Sequence, residues 1–120
     1  MKVLIVESCS QLAEVWARHL SSQGAEVHLV DSETAAIDWL RDQVVDVIVL
    51  DLVLDNGSAF AVADFASYSQ PASRVIFVTN TSFFSDGSIF QHIPNACAFL
   101  PSATSPEDLA AVVDHYGVAH

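Results

Sequence analysis

The feature that most constrains this chain is a set of five short segments rich in apolar and β-branched residues, separated by segments with helical periodicity. Four of the five are apolar nearly throughout, which is typical of strands that are covered on both faces in a parallel sheet. The remaining one alternates more and is typical of an edge strand. In chain order, the predicted strands are residues 3–6, the alternating 25–30, 44–50, 75–79 and 96–100.

The segments between the strands predict helices. Gly24 ends the first helix as a C-terminal cap would, and Glu33 is placed to favour the N-terminus of the second. Ser105 and Pro106 offer an N-cap and a proline at the first position of the last helix, with Asp108 as the acid that completes the signal. The side chains expected to face the sheet are Leu12, Val15, Trp16, His19 and Leu20; Ala36, Ile37 and Leu40; Phe60, Val62 and Ala63; and Leu109, Val112, Val113 and Tyr116.

The segment between the last two strands has the weakest helical signal. Residues 81–93 are rich in Ser and Phe and contain Gly87, so we expect a short or frayed helix there. Strands and helices that alternate at this spacing imply right-handed β-α-β crossovers. The sequence therefore predicts an α/β fold, a doubly wound (βα)5 sheet, with residues 1–120 as a single domain.

Composition excludes several classes of protein. The hydrophobic content of 52% is ample for one core, and fifteen acidic against four basic residues give a net charge of −11. Such a surface repels nucleic acid and anionic lipid, so neither is an expected partner. Cys9 and Cys97 lack metal-ligand spacing and are interpreted as reduced thiols. No apolar run approaches the length of a membrane span, and we expect a cytoplasmic protein.

Polar residues follow the predicted strands. Glu7 and Ser8 come after the first, Asp51 ends the third, and Thr79 ends the fourth. In open α/β sheets, functional groups gather at the carboxyl ends of the strands. This grouping predicts a site that binds a divalent cation through oxygen ligands and presents one carboxylate as a nucleophile toward phosphate.

Four segments, KVLIVES, VVDVIVLDLVLDNGSAF, RVIFVTN and ACAFLPSATSPEDL, resemble the successive landmarks of response-regulator receiver domains, in order and at matching intervals. The resemblance covers the whole chain and implies a flavodoxin-like three-layer sandwich with strand order 2-1-3-4-5. It further implies that Asp51 is the phosphoacceptor, Thr79 the switch hydroxyl and Phe99 the switch aromatic. Glu7, Asp51 and the backbone carbonyl of Val53 would be the metal ligands.

The sequence departs from the family's pattern at several positions of this site. Ser8 replaces the second acid of the pair, which ligates magnesium directly in the family. Ser102 stands where the family has a lysine, and Ala103 where a proline follows it. Asp55 replaces the proline after the phosphoacceptor, and Asn80 replaces the small residue after the switch hydroxyl.

These departures weaken the expected phosphorylation chemistry. A lysine paired with a phosphoryl group contributes about 1.5 to 3 kcal/mol as a charge-assisted hydrogen bond, of which Ser102 returns only part. The hydroxyl of Ser8 is a much poorer magnesium ligand than a carboxylate. Loss of the family's carboxylate at this position should cost at least about 10 to 100-fold in metal affinity or activity. We expect weak Mg²⁺ binding and slow transfer at Asp51.

These residues are compatible with two functions. In the first, a histidine kinase phosphorylates Asp51 and the domain is a working response regulator. In the second, which the departures favour, the domain is a pseudo-receiver that acts through protein–protein interaction. A small enzyme is not expected, because no glycine-rich phosphate loop follows the first strand and no G-x-S-x-G motif is present.

The expected partner surface lies between Thr79 and the last helix. Phe83, Phe84 and Phe90 are concentrated where the helical signal is poor, and Phe99 follows on the last strand. In the family, the neighbouring face, formed by the fourth and fifth β-α units, is the usual interaction surface. A histidine kinase or an effector protein is the expected partner, and a homodimer is the other option.

Overall fold

The computed structural model describes residues 1–79 and 95–117. Its strands are β1 (Lys2–Val6), β2 (Glu26–Val30), β3 (Val47–Asp51), β4 (Arg74–Thr79) and β5 (Ala96–Pro101). All pairings are parallel, and the strand order is β2-β1-β3-β4-β5. The predicted fold class and strand order are confirmed.

Four helices accompany the sheet in the described residues. They are α1 (Ser10–Ser22), α2 (Glu33–Asp42), α3 (Ala59–Ser69) and α4 (Pro106–Gly117). The helix expected within residues 81–93 lies outside the described residues. No helix in residues 1–79 or 95–117 is long and apolar enough to cross a membrane.

The sheet separates two hydrophobic cores, as period-two alternation of strand side chains requires. On one face, α2 and α3 pack small side chains such as Ala36, Ala63 and Ala66 against alternate residues of the central strands. On the other face, α1 and α4 cover the remaining strand residues, with Trp16 and Leu109 fully buried. The result is the predicted three-layer sandwich.

Hydrogen bonds at the helix ends explain where the helices begin and stop. The Ser105 hydroxyl accepts a hydrogen bond from the backbone amide of Asp108 at 3.2 Å, as the sequence predicted. Ser32 caps α2 in the same way, accepting from the amide of Ala35 at 3.2 Å. Gly24 has a φ of +94°, a conformation that favours glycine, and it ends the α1 segment as expected.

Several predicted core positions were wrong. Val15 is exposed because Ala13, Trp16 and Leu20 form the inner face of α1. Phe60 is 40% exposed, since the inner face of α3 consists of smaller side chains that approach the sheet closely. Val44 is 77% exposed and lies before β3, which begins only at Val47. Of the other residues expected to face the sheet, those that are only half-buried are Leu12, His19, Ile37, Val112 and Tyr116.

Candidate functional site

The parallel strands bring polar side chains to one edge of the sheet, the carboxyl edge. Those side chains are Glu7 after β1, Asp51 at the end of β3, Thr79 at the end of β4 and Ser102 after β5. Val6 pairs with Leu50 in the register of β1 and β3, so Glu7 and Asp51 leave the sheet side by side. The predicted clustering of Glu7, Asp51 and Thr79 at one end of the sheet is therefore observed.

Glu7 is a buried acid, with 4% of its surface exposed. Its Oε1 atom accepts a hydrogen bond from the backbone amide of Cys9 at 3.1 Å, whereas Oε2 has no donor among the described residues. The pKa of Glu7 is raised to about 8, mainly by burial and, to a smaller extent, by the neighbouring carboxyl groups of Asp51 and Asp55. Near neutral pH, Glu7 is therefore largely protonated.

Asp51 is half-buried and remains open to solvent on one side. Its Oδ1 atom accepts a hydrogen bond from the backbone amide of Val53 at 3.0 Å, so the chain after β3 turns back over the carboxylate. Val53 is exposed. This arrangement leaves the accessible carboxylate of Asp51 next to the protonated carboxylic acid of Glu7.

The loop after Asp51, residues 52–58, is fixed to two other parts of the molecule. Ser8 Oγ accepts a hydrogen bond from the backbone amide of Asp55 at 2.9 Å. Farther along, Glu33 Oε1 accepts from the amide of Ser58 at 2.7 Å, and the amide of Glu33 donates to Asn56. These bonds tie the loop to the end of β1 and to the start of α2.

Glu33 has a role in this loop that the sequence did not reveal, because its partners lie more than twenty residues away. Gly57, at a φ of +106°, lets the loop pass directly over Glu33, whose side chain occupies the space that a Cβ atom on residue 57 would need. A glycine after Asp55-Asn56 was the available signal, but it indicated only a turn.

The other side of the site is formed by β4 and β5. Thr79 is buried, and its carbonyl oxygen accepts a hydrogen bond from the backbone amide of Ser102 at 2.8 Å. Phe99 is half-buried and packs against the core on the side of α2 and α3. The predicted residues Phe83, Phe84 and Phe90 lie outside the described residues, as does Asn80.

The sequence model of the family described as the response regulator receiver domain matches residues 3–112. The chain belongs to this family. No curated protein sequence matches the chain significantly. Receiver domains are generally signalling modules without enzymatic activity, and membership implies interaction with kinase or effector proteins.

Solved structures of several receiver domains share the fold. A CheY-like receiver domain protein from Methanospirillum hungatei is 16% identical, with a TM-score of 0.88 over 97% of this chain and 92% of that one. The receiver domain of a putative LuxO repressor protein from Vibrio parahaemolyticus is 23% identical, with a TM-score of 0.84 over 97% and 88%. A response regulator from Burkholderia pseudomallei, solved with a phosphorylated aspartic acid, calcium and citrate, is 19% identical, with a TM-score of 0.80 over 95% and 71%.

This receiver domain has no basic side chain at the carboxyl edge of the sheet in the described residues. Its one lysine, Lys2, begins β1 at the opposite edge and donates a hydrogen bond to Gln43 at 2.9 Å. Arg74 begins β4 at that same opposite edge, Arg41 lies in the last turn of α2, and Arg18 lies more than two turns into α1. The interaction that lowers the pKa of Glu7 comes from a backbone amide, not from a cation.

Receiver domains typically bind Mg²⁺ at their phosphorylation site. In this receiver domain, the oxygen donors fit that ion poorly, because Ser8 contributes a hydroxyl that already accepts a hydrogen bond and Glu7 is largely protonated. Within residues 1–79 and 95–117, no group of three or more His, Cys, Asp or Glu side chains is arranged to hold a metal ion. Hard cations need several oxygen ligands, and this set is short of them.

Proposed function

We propose that this receiver domain is a pseudo-receiver, a signalling module that acts through protein–protein interaction and keeps Asp51 at the phosphoacceptor position of an incomplete site. The observation that carries the proposal is the hydrogen bond between Ser8 Oγ and the amide of Asp55. At the position of the family's second acid, the chain uses a hydroxyl to hold a loop. A loop fixed in this way does not need a metal ion to order it.

The charges at the site support the same proposal. A phosphorylated aspartate carries additional negative charge, which needs a metal ion or a cation beside it. Ser102 takes the lysine position, and the one lysine of the chain lies at the other edge of the sheet. The acid at Asp55 adds further negative charge near the carboxylates. Glu7, Asp51 and the Val53 carbonyl would therefore hold Mg²⁺ only weakly.

The alternative function is a working response regulator. In it, a histidine kinase phosphorylates Asp51, and Thr79 acts as the switch hydroxyl that responds to the phosphoryl group. One observation favours it: Asp51 is only half-buried and has a protonated acid beside it. The similar protein from Burkholderia pseudomallei holds a phosphorylated aspartic acid. Incubation with a phosphodonor distinguishes the two functions.

We further propose that the domain works in the cytoplasm and contacts a histidine kinase or an effector protein. The proposed partner surface comprises Phe83, Phe84, Phe90 and Phe99. Of these, Phe99 is half-buried and packs against the core. A homodimer through the same surface is the other option.

Acetyl phosphate with Mg²⁺ tests the proposal, with intact-mass spectrometry as the measurement. Transfer to Asp51 breaks the phosphoryl–oxygen bond of the donor, joins the phosphorus to Asp51 Oδ and releases acetate. We expect the double variant Ser8→Asp, Ser102→Lys to form the adduct at least about tenfold faster than the natural chain. Asp51→Asn is the control that should form none.

If the natural chain forms the adduct as fast as the double variant, the pseudo-receiver proposal is wrong and the working response regulator stands. Magnesium titration followed by NMR of the Asp51 and Asp55 amides gives a second measurement. A tight stoichiometric site in the natural chain would likewise overturn the proposal.

A further inference from the structure

The strand β2 has an open edge. It pairs with β1 on one side and, among the described residues, has no neighbour on the other. The amide of Glu26 donates to Met1, and the carbonyl of Val30 accepts from Glu7, so residues 26, 28 and 30 direct their backbone groups toward β1. By alternation, the N–H and C=O groups of Val27 and Leu29 point outward. They form a template on which another extended segment can pair.

This edge lacks several of the features that usually protect edge strands, although Glu26 at its start is charged and exposed. β2 contains no proline, lysine or bulge, and its exposed residues include Leu29, which is 38% exposed. Pairing with an extended segment would satisfy the outward backbone groups and cover this leucine. The edge is therefore available to a partner in a way that the central strands are not.

A groove runs beside the open edge, between β2 and one face of α2. Asp38, Trp39 and Asp42 lie on that face at helical spacing, and the groove has a volume of about 390 Å³. Its floor is aromatic, because the rings of His28 and Trp39 stack with their centroids 4.6 Å apart and their planes 8° apart. The two carboxylates stand at its rim.

The chemistry of the groove suits a cation. The Lys2 ammonium group already lies 5.9 Å from the centroid of the Trp39 ring, within the range of a cation–π contact. Asp38 is paired with Arg41 in an exposed ion pair, which is weak and exchangeable. An arginine is the side chain that both stacks on an aromatic face and pairs with a carboxylate.

We propose that the β2 edge and the adjoining groove bind an extended, arginine-bearing segment of a protein partner. The segment pairs its backbone with Val27 and Leu29. Alternate side chains, all on the face toward α2, place guanidinium groups beside Asp38 and Asp42, next to the stacked rings of His28 and Trp39. The other side chains lie next to Leu29. The inference does not depend on the state of Asp51.

Charge decides between a basic partner and a second copy of this chain. Residues 26–46 contain six acids and Arg41 as the one base, and the whole chain has a net charge of −11. Two copies paired through β2 would bring these acids together, and like charges that face each other across a strand pair are destabilising. A basic segment gains from the same acids, both in affinity and in rate of encounter.

The test uses two acetylated eight-residue peptides of equal composition, one with Arg and Val alternating and one with four Arg followed by four Val. Isothermal titration and ¹⁵N NMR are measured on the full chain and on Asp51→Asn. We expect the alternating peptide to bind at least about tenfold more tightly, with protection of the Val27 and Leu29 amides from exchange. Asp51→Asn should bind equally well, which separates this inference from the function proposed above.

Two double variants of equal charge identify the groove. Asp38→Asn with Asp42→Asn should weaken binding of the alternating peptide about tenfold, whereas Asp64→Asn with Asp114→Asn, on α3 and α4, should change it less than about threefold. Equal losses in both pairs, or equal affinity for the two peptides, would overturn the proposal as mere charge attraction. A dimer in sedimentation that Leu29→Pro disrupts would overturn it in favour of a second copy.

Discussion

Two regions of the sheet differ in how they satisfy buried polar groups: the surroundings of Gln70 at the amino edge, where β3 and β4 begin, and the surroundings of Glu7 at the carboxyl edge. At the amino edge, the Gln70 side chain accepts from the amide of Val45 at 3.0 Å and donates to the carbonyls of Leu40 at 2.8 Å and Gln43 at 2.6 Å. At the carboxyl edge, one oxygen of buried Glu7 has no donor among the described residues. The polar groups around Gln70 are hydrogen-bonded, whereas Glu7 Oε2 has no partner among the described residues; the buried side chain of Asn95, just before β5, has none there either.

This difference indicates a division between stability and function. A buried polar group without a partner costs about 1 to 3 kcal/mol, a cost that proteins tolerate mainly at functional sites. The surroundings of Val45 avoid the cost, since Ser73 also donates a hydrogen bond to the Val45 carbonyl at 2.7 Å. We therefore expect removal of the Glu7 charge and removal of the Gln70 side chain to have opposite effects on stability.

The largest effect is expected at Glu7, through its dependence on pH. Its pKa is raised from 4.5 to about 8 in the folded chain, so between these values the folded state binds more protons than the unfolded state. Stability contributed by protonated Glu7 is present below pH 4.5 and is lost as the pH rises to 8. Each pKa unit corresponds to about 1.4 kcal/mol, so the rise from 4.5 to about 8 sets the loss on the order of 5 kcal/mol.

Glu7→Gln should remove this loss, because the amide stays neutral at every pH. Urea denaturation from pH 4.5 to 9 in EDTA measures the free energy of unfolding, and the variant should be the more stable protein at pH 9. Glu14→Gln, on the exposed face of α1, is the matched control and should keep the natural slope. An unchanged slope in Glu7→Gln would contradict the assignment of the raised pKa to Glu7.

At the amino edge, Gln70→Ala should destabilise the fold. The change leaves the amide of Val45 and the carbonyls of Leu40 and Gln43 without their partner, and we expect a loss of about 3 kcal/mol at pH 7. Urea denaturation measures it. Gln11→Ala, at an exposed position of α1, should change stability by less than about 0.5 kcal/mol. Equal losses in the two variants would refute the stabilising role of the Gln70 network.

The smallest effect is expected at Ser8. Ser8→Ala removes the hydrogen bond from the amide of Asp55 and should cost about 1 kcal/mol, because the amide becomes accessible to water. Hydrogen exchange at the Asp55 amide should accelerate, while the exposed Ser10→Ala leaves it unchanged. If exchange at Asp55 does not respond to Ser8→Ala, the hydroxyl does not hold the loop, and the main support for the pseudo-receiver proposal is lost.

Much of the candidate site could be predicted because parallel strands place their carboxyl ends at one edge. Glu7, Asp51 and Thr79 each follow an apolar strand in the sequence, so recognising the strands was enough to bring them together. The start of α4 was predictable for a similar reason, since Ser105 and Pro106 act on residues within one turn. These features depend on local sequence and on the regularity of a sheet.

The raised pKa of Glu7 and the use of Ser8 as a loop anchor required the tertiary structure. Both depend on groups that meet only after folding: Glu7 lies 44 positions before Asp51, and Ser8 lies 47 before Asp55. The residues that flank Glu7 and Ser8 in the sequence do not indicate such contacts. The same holds for Glu33, whose role in the loop before α3 depends on Gly57 and Ser58.

The sequence by itself determined the order of strands and helices, the two-sided burial of the central strands and the edge position of β2. Side-chain periodicity predicts these features, because it indicates which faces of a helix or strand are apolar. Tertiary structure decided how deeply each residue is buried. Phe60 and Val15 fit the helical period, yet they are exposed because smaller or better placed neighbours fill the space against the sheet. Burial is set by packing between elements, which periodicity within one element does not specify.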